Sequence, residues 1–129
     1  MKIDKYRDKV WKVMSLYIRQ RDSDWRGYCK CCTCSTTKHW KEMHAGHFIH
    51  GKTKMSYLDE RNVNGQCNSC NTYKGGSLAE YSIFLEKKYG HGILQELKKL
   101  SDKNETWTIK KLDERIKYYK EKLDELQRS

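Results

Sequence analysis

Three kinds of residue between Cys29 and Asn71 could do chemistry: paired thiols, a histidine set after a glycine, and asparagines. Cys67-Asn68-Ser69-Cys70 is a C-x2-C turn. The run from Cys29 to Cys34 holds two overlapping ones, Cys29/Cys32 and Cys31/Cys34. Two such turns in one chain fit four thiolates around a structural Zn²⁺. Cys31 and Cys34 are the preferred first pair, because Thr33 and Ser35 suit the tight turn that sulfur ligation requires; Cys29/Cys32 is the alternative. Four sulfurs leave no open position for water, so this metal holds the fold and does not catalyse.

His47 and Asn71 suggest a different chemistry. Phosphodiester hydrolysis needs a base to activate water and a metal to stabilise charge on the phosphate and the leaving oxygen. An unperturbed histidine titrates near neutral pH, which makes His47 the natural base. Asn71 offers a neutral oxygen for a hard ion such as Mg²⁺ or Mn²⁺, and zinc ligation by Cys70 would fix its backbone. A lone histidine in a strand is more often a core residue; the combination gives His47 its weight.

Composition sets the partner class. Lys and Arg number 27 against 17 Asp and Glu in 129 residues, a net charge of +10, which suits a polyanion such as DNA. No apolar run reaches membrane-spanning length and the N-terminus is unlike a signal peptide, so a cytoplasmic location is expected. In that reducing compartment the six cysteines favour metal ligation over disulfides.

The elements that must position these residues are mostly helical. Residues 4–22 carry apolar side chains at helical spacing, with Asp4 as an N-terminal cap and Lys5, Lys9, Lys12 and Arg19 on the other face. Residues 23–41 read as an irregular loop around metal. Residues 43–49 and 57–64 read as two strands, followed by a short helix from Cys67 to Gly75-Gly76. Ser77 to Glu80 reads as a capping box opening a helix with Leu78, Tyr81, Phe84, Leu85 and Tyr89 inward. Gly90-His91-Gly92 ends it, and a further helical piece follows with Ile93, Leu94, Leu97 and Leu100. After a polar linker, Ile109, Leu112, Ile116, Tyr119, Leu123 and Leu126 form a heptad seam. That seam serves either the chain's own core, the favoured reading, or a homodimer. The fold class is α+β, mostly helical: an N-terminal helix over 1–26, a zinc-stapled core over 27–76, and a helical region over 77–129.

His47, Asn62, a C-x2-C and then Asn71 resemble the pattern of the His-Me finger (HNH, ββα-metal) nucleases. The resemblance implies His47 as general base, Asn62 as the brace that orients it, and Asn71 as ligand of one catalytic divalent metal. C-x-T-C at Cys31 to Cys34, AGHF at Ala45 to Phe48 and NVNGQCNSCN at Asn62 to Asn71 resemble more closely the NinG (Rap) family of phage recombination endonucleases. That family implies cleavage of branched DNA such as a D-loop or Holliday junction, in a bacterial host. A nicking HNH enzyme without branch preference, or a non-catalytic zinc-finger DNA-binding module, are the alternatives. One position departs from the superfamily: many HNH enzymes carry an Asp before the histidine as a metal ligand, and here it is Gly46. His44 is the candidate second ligand, with His50 behind it, although in a straight strand both face away from His47. Lys52, Lys54, Arg61 and Lys74 are the candidate DNA contacts, and Tyr57 and Tyr73 the candidate stacking residues.

Overall fold

Apolar residues at helical spacing become two long helices that pair across the whole fold. In the computed structural model, which describes residues 1–128, α1 spans Lys2–Arg21 and the last helix, α4, spans Ile109–Arg128. Val10, Met14 and Ile18 of α1 and Leu112, Ile116 and Tyr119 of α4 are buried in one cluster. Leu123 and Leu126 pack against it, so the heptad seam is engaged within the chain. Asp4 does not cap α1. Met1 holds that place, and Asp4 lies in the first turn, where it pairs with Arg7 at 3.1 Å.

Between the long helices lie two antiparallel hairpins. β1 (Tyr28–Lys30) pairs with β2 (Thr37–His39), in a region expected to be irregular. β3 (His44–His47) pairs with β4 (Val63–Gln66), Gly46 opposite Asn64. The second strand therefore starts later than residue 57. Residues 55–58 and 60–62 form short 3-10 turns instead, because Trp107 and Tyr119 tie this segment to the helical side. The Trp107 indole donates to the Lys54 carbonyl at 2.8 Å, and the Tyr119 hydroxyl donates to the Leu58 carbonyl.

After β4 the chain makes a wide helical turn, Ser69–Tyr73. It then enters α2 (Leu78–Tyr89) and α3 (Ile93–Ser101). Ser77 stands at the N-cap of α2 but in the left-handed region, φ 49°, not the extended geometry of a capping box. Tyr81 and Leu85 are buried with Ile93 and Leu97, whereas Leu78 is exposed, contrary to its expected inward position.

The strand pair is locked to the helices by buried polar contacts. Arg21 donates to the carbonyls of Glu60 and Val63 and to Asn64 Oδ1. Asn64 Nδ2 donates to the Tyr81 hydroxyl, which donates to the Gly46 carbonyl at 2.6 Å. Such a network fixes register, since each member leaves a buried polar group unsatisfied if another moves.

Candidate active site and metal centre

The sulfurs of Cys31, Cys34, Cys67 and Cys70 lie within 4.8 Å of one another. A tetrahedron of Zn–S bonds about 2.3 Å long separates its sulfurs by about 3.8 Å; Cys34 and Cys67 Sγ stand 3.6 Å apart. The donor set is all thiolate, which suits zinc. The first C-x2-C closes a knuckle between β1 and β2, with Ser35 in the left-handed region at φ 66°. The Thr36 hydroxyl holds the Cys34 thiol down at about 6. Cys29 and Cys32 lie outside the group. Cys29 is fully buried against Gly65, where burial pushes its thiol up to about 11, and Cys32 packs near α2. Among the described residues, then, these four cysteines could hold a zinc ion, and the other two are packing residues.

On the other face of the strand pair, His47 is buried at the end of β3. Its imidazole packs against Tyr57, stacked at 4.8 Å and 5°, and against Trp11 of α1, at 4.7 Å and 25°, and those two rings lie 5.7 Å from each other, so the three form one cluster. Nε2 lies 2.9 Å from the Tyr57 carbonyl. A carbonyl only accepts, so Nε2 carries the proton and Nδ1 keeps its lone pair. Burial drives the pKa of His47 down to about 4, which leaves the ring neutral at neutral pH.

Asn62 is fully buried. Its Oδ1 accepts from the Ile49 N–H at 2.9 Å, and its Nδ2 donates to the carbonyls of Ile49 and Ser56, each at 3.0 Å. The side chain thus closes the base of the loop that carries Lys52, Lys54 and Tyr57.

Asn71 sits on the wide turn after Cys70, with Nδ2 3.0 Å from His44 Nδ1. Its Oδ1 faces Gly46, 3.0 Å from where a Cβ would stand. A half-turn of the amide would bring its oxygen beside His44 Nδ1, so the two could offer an oxygen and a nitrogen to one cation. His44, His47, His50 and Asn71 line a single cleft of about 450 Å³ with Trp11 and Arg19. Alternation along a straight strand separates His44 and His50 from His47. The bend at residues 48–49, just after β3 ends, returns the His50 ring to 6.1 Å from that of His47, and His44, at the start of β3, borders the same cleft beside Asn71.

Gly46 has a steric reason. A Cβ at this position would lie 1.9 Å from Gln66 Oε1, far inside contact distance. Gln66 is fully buried, and its Nε2 donates to Thr33 Oγ1 and the Gly76 carbonyl. Its carboxamide fills the space an acidic side chain would need.

The cationic candidates divide. Lys52, Lys54 and Lys74 are exposed. Arg61 is engaged by Asp59 at 3.0 Å and Glu96 at 2.6 Å. Tyr57 is committed to His47, while Tyr73 is 79% exposed. Arg19 borders the cleft and donates to the Ser15 and Trp40 carbonyls. Trp11 and the buried roles of Asn64 and Gln66 escaped the sequence reading, which placed Tyr81 inward without its hydrogen bonds to Asn64 and Gly46. Trp11 alone carried a signal there, as a large aromatic one residue from Val10 in the apolar pattern of the first helix.

No curated protein and no solved structure matches the chain. Among the described residues no helix is long and apolar enough to cross a membrane. The family model of the bacteriophage lambda NinG protein matches residues 1–129. The chain belongs to the NinG family.

Proposed function

We propose that this protein is a metal-dependent endodeoxyribonuclease of phage recombination, with a His-Me finger site, acting on branched DNA in the host cytoplasm. The observation that carries the reading is His47. Its proton is pinned on Nε2 by the Tyr57 carbonyl, and Asn62 ties the surrounding loop, beside a cleft shared with Asn71 and His44. A core histidine with no task does not need a braced loop, a fixed tautomer and an adjoining pair of metal donors. Family membership and the +10 charge support a phage nucleic-acid substrate.

In this mechanism His47 Nδ1 accepts a proton from water as the water oxygen attacks phosphorus, and the bond from phosphorus to the leaving oxygen breaks. The Tyr57 carbonyl accepts from Nε2–H throughout and stabilises the imidazolium that forms. Asn71 and His44 would hold a Mg²⁺ or Mn²⁺ ion, which when bound neutralises charge developing on the phosphate. Arg19, Lys52, Lys54 and Lys74 would hold backbone phosphates around the cleft. The cysteine knuckle keeps Asn71 in place through Cys70.

The test incubates the purified chain with Mg²⁺ or Mn²⁺ and duplex, single-stranded, flap, D-loop or four-way DNA. Metal-dependent cuts near the branch are expected, with His47→Ala reducing the rate at least about 100-fold and Asn71→Ala altering the metal titration. Binding to all these DNAs without cutting would instead make the protein a zinc-finger binding module.

A further inference from the structure

The turn between α1 and β1 presents Trp25, 92% exposed. One exposed indole is by itself ordinary, but this one has cations and a second tryptophan beside it, which makes it a platform on which a flat ring can stack. The turn is held firmly. The Asp24 carboxylate accepts from the backbone N–H groups of Arg26 at 2.9 Å and Tyr28 at 3.0 Å. The Asp24 N–H donates to the Tyr28 carbonyl at 2.9 Å. Gly27 turns the chain at φ 86°, and a Cβ there would lie 2.8 Å from His39 Nε2.

Around this tip, cations lie over aromatic rings. The Arg26 guanidinium sits 5.8 Å from the Trp25 ring and 5.3 Å from the Tyr28 ring. Trp40 carries Arg19 at 5.3 Å and Lys41 at 5.8 Å. Trp25 and Trp40 line one groove of about 420 Å³ together with Gln20 and Leu126. Arg19 joins the two sites, because it also borders the His47 cleft.

We propose that this groove takes an unpaired nucleobase of a DNA strand, stacked on the exposed indole, while Arg26, Lys41 and Arg19 take the neighbouring phosphates. Only a base outside a duplex offers both faces to such a groove, and stacking is indifferent to which base it is. The charge is complementary: Asp24, the acid in the groove, is already occupied by Arg26 and two backbone N–H groups. The inference deepens the nuclease reading by naming what part of a branch is recognised, and it rests on that reading only for the consequence on cleavage.

The experiment measures binding with the full chain carrying His47→Ala, so that cleavage does not interfere. The probes are labelled single-stranded and duplex oligonucleotides of equal length and a junction with unpaired bases at its centre. Adding Trp25→Ala should weaken binding of the single strand and the junction about ten-fold or more and leave the duplex within about two-fold. Lys41→Ala should weaken all three and flatten the salt dependence. Trp25 is exposed, so the variant folds, and circular dichroism checks this. Unchanged affinity for the single strand, or equal loss on single strand and duplex, overturns the proposal. Failure of the nuclease reading shows separately, as an unaltered chain that binds these DNAs and does not cut them.

Discussion

The two sides of the β3–β4 pair are held together by different physics. On one side Cys31, Cys34, Cys67 and Cys70 converge with a small apolar surround of Cys29, Met43 and Trp40. On the other, α1 and α4 bury a continuous seam of aliphatic and aromatic side chains. The first side is poor in apolar area, and a zinc ion held by its four cysteines would order its loops. The second needs none. The cleft lies where the two meet: Asn71 comes from the cysteine side, and His47 is gripped by Trp11 from the helical side. Neither half alone would assemble the site.

Removing the metal is the harshest way to break this comparison. Structural zinc contributes about 10 kcal/mol or more to small thiolate sites. Cys67→Ser, or treatment with a strong chelator, should therefore melt residues 28–76 while most far-ultraviolet helical signal survives in α1 and α4. Simultaneous loss of all helical signal would show that the two sides are one cooperative unit.

A smaller effect comes from the other side. Leu112 is fully buried in the helical seam, and Leu112→Ala should cost about 2–5 kcal/mol in urea unfolding while zinc content stays stoichiometric. Zinc loss at denaturant concentrations where the variant is still folded would contradict the division.

The mildest probe is acid. His47 in the folded chain titrates near 4, against about 6.5 unfolded, because burial disfavours its charged form. As pH falls the unfolded chain takes up this proton first. The stability tied to His47 is thus complete above pH 6.5 and is lost as pH falls through 4, a change on the order of 3 kcal/mol. His47→Phe should be less sensitive than the parent between pH 7.5 and 5. Acid release of zinc lowers both chains alike, so the difference in their urea midpoints isolates the histidine. Parallel midpoints across that range would mean that the ring is not buried.

Much of this was legible in the residue pattern. The α4 seam follows from spacing that only a helix can bring to one face, and the cysteine pairs carry their ligation in their spacing. The β1–β2 hairpin was not legible, because its three-residue strands bury little besides Cys29 and show no alternation. The second strand of the site was misplaced toward Tyr57 and Leu58 because they are apolar. The true strand, Val63–Gln66, buries Asn64 and Gln66, polar residues that periodicity assigns to the surface. Their burial depends on partners distant in sequence, Arg21, Tyr81 and Thr33. Motif order singled out His47, Asn62 and Asn71, with His44 as a candidate, but the Trp11 contact with His47 and the approach of His44 to Asn71 needed three dimensions.

The close approach of Gln66 to Gly46 bears on how this site can change over generations. An acidic residue cannot enter at position 46 in one step, since its Cβ would meet the Gln66 carboxamide. Shortening Gln66 first would release Thr33 Oγ1 and the Gly76 carbonyl, and with them part of the knuckle's support. The two positions are therefore epistatic, with an unfavourable intermediate whichever changes first. A lineage that has taken the glycine–glutamine pair is held to it, and position 46 stays closed to any larger side chain while Gln66 keeps its place.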